Sequence, residues 1–399
     1  MSNSDVLVIG GGIAGMLLAV RLRHRGASVT LAERGRLGQA ASALNAGGVR
    51  QQFFQPENVR AAQASVAFLT GFEAEHGIPV GFTQRGYLYL CQTPEQDRRL
   101  AEGLTAQHAL GVPSRRVSAS DVTALAPGVS TDDVLAGYYC PTDGRIDPKV
   151  LMAALAQVTR RSGVTVLENT EIVSLTVKGG RIQEAASTAG PLAAGAMVNA
   201  AGPWAPSVAA MAGASLPITA RRSQVFMISD APALDPDLPH TFDMSGGYYV
   251  RPAGRGAWSG ASFKPVLPAP VPAGLDAQWL EAGELHRRLS RRVPALAATP
   301  FDTAWAGIIE VTPDDNPVIG WTGPENLYTM AGFSGHGMCV APGLAGPAAA
   351  EILDEDRGAE LGLYRPGRFT DPGFALRREG MWLTERPAEL ADWGAGAAS

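Results

Sequence analysis

The first thirty-odd residues constrain this chain more than any other stretch. Asp5-Val6-Leu7-Val8-Ile9 is a short, continuous apolar run that reads as a buried strand. Gly10-Gly11-Gly12-Ile13-Ala14-Gly15 reads as a tight turn, and Met16 to Arg25 as a helix with apolar Leu17, Leu18, Val20 and Leu22. In that order the glycines have separate roles. Gly10 permits the turn, Gly12 lets a pyrophosphate approach the backbone, and Gly15 lets the helix lie close to the strand. The N–H groups at the helix start then face the phosphates. Gly26 closes the helix, a second strand follows at Ala27 to Ala32, and Glu33 stands 18 positions beyond Gly15, where an acid binds the hydroxyls of an adenosine ribose. Glycines alone also mark ordinary turns. With both strands, the helix and the acid in register, the pattern specifies an adenine dinucleotide without choosing FAD over NAD.

Later segments supply the rest of the architecture. Met197-Val198-Asn199-Ala200-Ala201-Gly202-Pro203-Trp204 reads as another buried strand of the same sheet, ending in a glycine turn at the cofactor. Gly86 to Leu90 and Tyr248 to Arg251 read as strands of a second, mixed sheet that lids a substrate pocket. Residues 230–239 and 265–274 are proline-rich loops, and Leu275 to Leu289, with Leu275, Trp279, Ala282 and Leu289 at helical spacing, reads as an amphipathic helix packed on its core. Gly332, Gly335 and Gly337 free the backbone before a small-residue helix from Ala341 to Leu353. The chain's end, Gly394-Ala395-Gly396-Ala397-Ala398-Ser399, has a composition that frays.

Composition excludes several function classes. The 38 acidic and 33 basic side chains are interspersed and give a net charge of −5, which argues against a nucleic-acid partner. The longest apolar stretches, Val6 to Gly15 and Leu192 to Ala201, fall short of the roughly 20 residues a membrane span needs. Met1-Ser2-Asn3-Ser4-Asp5 leads straight into a strand without a secretory signal, so a cytoplasmic location is expected. Cys91, Cys140 and Cys339 are odd in number and widely spaced, fitting a reduced compartment and packing roles; no metal site is expected.

Four segments choose the cofactor. Gly48-Val49-Arg50-Gln51-Gln52-Phe53, Pro141 to Pro148, Trp305-Ala306-Gly307 with Thr312 to Gly320, and Gly332 to Gly337 together give the chain, to about Pro366, a pattern that resembles the D-amino-acid-oxidase-like FAD oxidoreductases, above all the beta subunits of sarcosine oxidase and L-proline dehydrogenase. The resemblance implies an α/β fold: a Rossmann-like FAD-binding domain, a parallel sheet with helices, and an α+β substrate domain with a mixed or antiparallel sheet. The expected boundaries are 1–80, 145–215 and 304–376 for the first, 81–144 and 216–303 for the second, and a tail at 377–399. It further implies cofactor contacts. Around the opening fingerprint these are Gly10, Gly12, Ile13, Ala14, Gly15, Glu33 and Arg34, then Ala41, Ser42, Gly47 and Gly48. In the middle part they are Ile172, Val173, Ala200, Ala201, Gly202 and Trp204, and in the late part Gly307, Gly332, Ser334, Gly335, His336, Gly337 and Met338.

Substrate recognition needs a fixed cation for a carboxylate, a role suited to the planar fork of arginine. Arg50 is the first candidate, its alternative being a pyrophosphate or inter-domain ion pair. Arg251 and Tyr249 are the second, on a lid strand where one of Tyr248 and Tyr249 faces the pocket; Arg251 is alternatively a solvated strand end. His336, in its glycine turn, is either a flavin or substrate contact or a loop anchor, and as a contact it would help keep a substrate amine neutral.

Departures from the resembled pattern matter as well. Ile308-Ile309 stand where glycine-oxidase-like relatives place an arginine. Ile308 to Thr312 holds no cysteine and Asn45 replaces a histidine used for attachment, so the FAD is expected to be non-covalent. Arg145-Ile146-Asp147-Pro148 lacks the histidine that carries a covalent FMN; a non-covalent FMN at a subunit contact stays open. The lysine that promotes oxygen reaction aligns with Trp258 or lies away at Lys264. The expectation is FAD-dependent oxidation of a small amino acid or N-substituted amine, with electrons passed to a quinone, a dye or a partner subunit. The alternatives are a true oxidase producing hydrogen peroxide and a non-catalytic flavoprotein for assembly or electron relay.

Overall fold

The computed structural model describes residues 3–261, 265–354, 358–371, 377 and 379. Strand Asn3–Ile9 lies inside a sheet, parallel to Val29–Ala32 on one side and to Gly190–Asn199 on the other. Thr165–Leu167 extends the sheet beyond Val29–Ala32, and Leu327–Ala331 extends it beyond Gly190–Asn199, both in parallel, with Val318–Trp321 antiparallel at the edge. Strands covered on both faces read as unbroken apolar runs, which is why Val6, Leu7 and Val8 are all buried and the segment shows no alternation. Helices Ile13–His24, Pro56–His76 and Gly337–Ile352 contribute to one apolar cluster with the sheet, in which Leu18, Leu22, Phe72 and Ala345 have no exposure.

Two close approaches set this packing. A Cβ at Gly15 would sit 1.9 Å from the carbonyl oxygen of Gly10, so no other residue lets the first helix lie this near its strand. A Cβ at Gly343 would sit 2.2 Å from the carbonyl oxygen of Ala61, where helix Gly337–Ile352 meets helix Pro56–His76.

The second sheet runs in the order Thr303–Val311, Thr219–Ile228, Gly256–Ala261, Tyr248–Ala253, His240–Asp243, Tyr87–Cys91, Ala136–Cys140, Arg115–Val117. It is antiparallel except where His240–Asp243 runs parallel to Tyr87–Cys91, which makes it mixed. A two-residue ribbon pairs Gly48–Val49 with Gly144–Arg145. Asp143, fully buried, accepts from the backbone N–H of Gln51 at 2.8 Å and from the Gln52 amide at 3.0 Å, so the two glycine-bearing segments are fastened on either side of Arg50. The Thr312–Gly320 turn is fastened by a pair with no exposure: Arg368 Nε and Nη2 donate to Asp314 at 2.8 and 3.0 Å.

Four expectations are corrected. Thr303–Val311 pairs along its length with Thr219–Ile228, so the segment from 304 to 311 belongs to the second sheet and not to the FAD-binding layer. The late helix begins at Gly337, not Ala341, because its first turn tolerates glycine and Pro342 already lies inside it. The amphipathic helix is Ala282–Arg292; Trp279 packs edge-on against Phe226 at 5.8 Å within a preceding 3-10 turn and stays 48% exposed, so the stripe from Leu275 does not form. In the segment assigned to the tail, Glu379 is buried and accepts from the N–H groups of Phe54 and Gln55, at the start of helix Pro56–His76. Residues 394–399, expected to fray, lie outside the described residues.

The helix contact predicts opposite outcomes for two glycines of one helix. Gly343→Ala is expected to cost about 1–3 kcal/mol, as overpacking does. Gly346→Ala, with nothing within 4 Å of the new methyl, is expected to gain about 0.5–1 kcal/mol. Urea denaturation of both variants checks this.

Candidate active site

Four parallel strands end at one edge of the first sheet, and the residues that follow each line a single cavity of about 450 Å³. Asn3–Ile9 leads into Gly10 and Gly12, Val29–Ala32 into Glu33 and Arg34, Gly190–Asn199 into Ala200 to Trp204, and Leu327–Ala331 into Phe333 to Cys339. This is where open parallel sheets bind ligands, since chain reversals there leave a crevice lined by turns and helix starts.

At one end the residues fit an adenine dinucleotide. Gly10, at φ +109°, has the carbonyl oxygen of Ala200 only 2.5 Å from where a Cβ would be, so a side chain would fill the cradle. Helix Ile13–His24 has no side-chain cap from Gly12; Ser42 Oγ accepts from the Ile13 N–H at 3.0 Å. The Glu33 carboxylate is held at its strand end by the N–H groups of Gly11 at 2.7 Å and Gly35 at 2.8 Å. The Arg34 guanidinium lies 3.8 Å above the Trp204 ring, and Trp204 Nε1 donates to the Val271 carbonyl, which frames an aromatic wall beside Thr170 and Ile172.

The other end is aromatic. His336 precedes helix Gly337–Ile352 as its N-cap residue and meets Phe53 edge-on at 5.4 Å; Ser334, at φ +50°, shapes the turn before it. From the second sheet come Tyr87, Gln224, His240, Phe242 and Tyr249, with Ile308, Ile309 and Glu310 from the strand Thr303–Val311 that carries the Trp305-Ala306-Gly307 motif. Arg50 is buried, donates through Nη1 to the Gln52 carbonyl at 2.7 Å and stacks 4.0 Å above Phe53. Among the described residues Arg50 Nη2, Tyr249 Oη and His240 Nδ1 are buried polar atoms without a hydrogen-bond partner. His240 stacks on Tyr87 at 4.3 Å. Burial, with Arg251, Arg145 and Arg50 nearby, pushes its pKa well below the usual histidine value, so its ring is neutral at neutral pH. Burial raises the Glu310 carboxyl to about 7. It also pushes up the Cys339 thiol, which stays protonated.

The structure brings most of the expected residues to this cavity, with exceptions. Tyr249 lines it while Tyr248 faces the lid core, as strand alternation requires. Arg251 does not line it; two positions further along the strand, it lines a separate pocket. Ile172 lines the cavity but Val173 points the other way and is 52% exposed. Gly15, Gly307 and Gly332 shape the surroundings without lining it: Gly15 for helix packing, Gly307 against Leu44, and Gly332, at φ +78°, against Thr312. Four further lining residues, His240, Glu310, Tyr87 and Gln224, are not among the site residues expected from the sequence. The signal for Glu310 was a lone acid in the apolar run from Ala306 to Val311. Lys264 lies outside the described residues, and Trp258 lines the separate pocket.

The fold and the cavity together define a dinucleotide-binding oxidoreductase with an enclosed aromatic compartment beside the cofactor cradle. A family model described as FAD dependent oxidoreductase matches residues 5–351, and the chain belongs to that family. It is 29% identical over 406 residues to the mitochondrial dimethylglycine dehydrogenase of Rattus norvegicus, a match covering 97% of this chain and 46% of that enzyme, so the chain spans less than half of that relative. To glycine oxidase of Geobacillus kaustophilus it is 26% identical, over 88% of this chain and 93% of the relative. The crystal structure of L-proline dehydrogenase from P. horikoshii matches with a TM-score of 0.85 at 29% identity, covering 92% of this chain and 98% of that one.

A carboxyl whose pKa is raised in the fold holds its proton more tightly there than in the unfolded chain. Its contribution is intact below pH 4.5 and is lost as pH rises through about 7. In cofactor-free protein, Glu310→Gln is therefore expected to make the fall of Tm across that window shallower. The fall persists in part, because buried Asp143, at about 6, and Glu379, at about 7, act in the same direction. Thermal melts at several pH values check it; an unchanged slope would count against a half-buried, protonated Glu310.

Proposed function

We propose that this chain oxidises the carbon–nitrogen bond of a small amino acid or N-substituted amine, of the proline, sarcosine, glycine or D-amino-acid type. The observation that carries the reading is Arg50: a buried guanidinium with one unpartnered Nη, lining the same cavity as the cofactor cradle. FAD, when bound, supplies the hydride acceptor. Arg50 binds the substrate carboxylate, and the fixed Nη1 bond to the Gln52 carbonyl holds its fork in one orientation. Tyr249 Oη donates to the same carboxylate. The neutral His240 ring accepts a hydrogen bond from the substrate nitrogen at Nδ1, which favours the amine with a free lone pair. Tyr87, Phe242 and Ile309 exclude water and limit substrate size. The start of helix Gly337–Ile352 adds partial positive charge at the Ser334 to Met338 turn.

Non-covalent FAD is supported by Asn45, whose side-chain amide is engaged with Ser42 and Gly47, and by the protonated state of Cys339. A dehydrogenase that passes electrons to a quinone, a dye or a partner subunit is supported by Trp258 at the position that aligns with the oxygen-promoting lysine of the resembled family.

Anaerobic mixing with a panel of small amino acids tests the reading: bleaching of the flavin absorbance by at least one is expected, and bleaching by none would end it. Arg50→Lys keeps the charge but loses the fork, and is expected to lower kcat/KM for that substrate by about 100-fold, mainly through KM. Acid precipitation is expected to release all of the flavin into the supernatant, and oxygen uptake is expected to lag well behind dye reduction.

A further inference from the structure

Strand Tyr248–Ala253 presents Tyr249 to the cofactor cavity and Arg251, on the same face, to a second pocket of about 250 Å³. Arg145, Asp147, Thr83 and Trp258 also line it. Arg251 is buried, with its guanidinium 4.0 Å above the Trp258 ring. Its Nη2 reaches the Ile146 carbonyl only at 3.5 Å, and its Nε is buried without a partner among the described residues. Arg145 is fixed beside it by bonds to the Leu238 and Pro236 carbonyls at 2.9 and 2.7 Å.

Among the described residues no carboxylate forms an ion pair with either arginine. Asp147, the acid that lines the pocket, uses its Oδ1 to accept from the Lys149 and Val150 N–H groups at the start of helix Pro148–Arg161, and its charge reaches Arg251 without forming an ion pair. Burial lowers the Arg251 pKa to about 10, and Arg145 adds to the fall; Tyr249 and Asp147 act the other way without cancelling it, the direction expected of a desolvated cation. Two fixed cations around a pocket, with an aromatic wall and no paired carboxylate, are costly to a fold that leaves them alone and favourable to one that binds an anion.

We propose that this pocket binds a small oxyanion, a carboxylate or a phosphate group, between Arg145 and Arg251 against the face of Trp258. It is distinct from the cofactor cavity, and the proposal stands whether or not the amine-oxidation reading does.

The test uses the full chain loaded with FAD, titrated with inorganic phosphate or with acetate at ionic strength held constant with chloride. Calorimetry and thermal melting are the readouts, and the two arms separate the phosphate from the carboxylate source. Saturable binding of one anion at one site per chain is expected, with a matching rise in Tm. Arg251→Gln and Arg145→Gln are each expected to weaken it about ten-fold or more while the flavin spectrum stays unchanged. Binding is expected to persist in Arg50→Lys, which separates this pocket from the cofactor cavity. In chloride alone Arg251→Gln is expected to melt no lower than the parent, since it removes a buried charge that no carboxylate pairs with. Failure of both anions to bind saturably, or anion affinity retained in both arginine variants, would overturn the proposal, as would a Tm loss in Arg251→Gln of equal size in every buffer.

Discussion

The approach of one backbone to another at Gly10 and Gly15 is the constraint on which the rest of this structure depends. Gly15 lets the first helix settle onto the turn at Gly10, and Gly10 lets the turn settle onto the end of strand Gly190–Asn199. Three parallel strands thereby end level with one another, and the groups that must meet a dinucleotide, the helix start, the Glu33 carboxylate and the Ala200 to Trp204 turn, converge on one crevice. A methyl group at either glycine would separate them by more than the tolerance of a hydrogen bond.

The lid sheet solves a different problem, which is to keep charges ready in a place that excludes water. Arg50 has a fixed carbonyl partner, an aromatic stack and buried Asp143 bracing the two residues after it, so its orientation is set before any ligand arrives. Such preorganisation removes an ordering cost of about 0.5–1.5 kcal/mol that a flexible side chain would incur on binding. His240 lies between this arginine and the pair Arg145 and Arg251, and their combined field helps keep its ring neutral. Burial is the larger cause of the neutral imidazole, and the charges of its neighbours add to it.

Legibility in the sequence followed the range of the interaction. The N-terminal fold was readable because strand, turn, helix and acid are contiguous, and the strand at Gly190–Asn199 because its end, Met197 to Asn199, is buried in succession. Alternation correctly separated Tyr248 from Tyr249, yet could not separate Tyr249 from Arg251, which share a face and differ only in which pocket lies opposite. Assigning Thr303–Val311 to the wrong layer has the same origin: its partner Thr219–Ile228 is distant in sequence, and nothing local records which sheet claims it. His240 was hidden by the proline before it, and its surroundings depend on Tyr87, Gly48, Arg50 and Arg145, distant in sequence, as well as on Arg251 from the neighbouring strand.

The unpartnered atoms in the substrate compartment also argue about what kind of molecule suits it. A buried polar group left without a hydrogen bond costs about 1–3 kcal/mol, and a charged one more. Arg50 Nη2, Tyr249 Oη and His240 Nδ1 are three such groups in one compartment. A simple alkylamine offers a nitrogen to one of them and leaves the cation bare. An α-amino acid offers a carboxylate and a nitrogen separated by one carbon, and so satisfies the cation, the phenol and the imidazole together. Discrimination between the two by charge and hydrogen bonding greatly exceeds what apolar walls achieve, since a methylene is worth only about 1–3 kcal/mol in a pocket. On the proposed function, the compartment therefore favours carboxylate-bearing amines as a class, and the walls formed by Tyr87, Phe242 and Ile309 have only to choose among side chains.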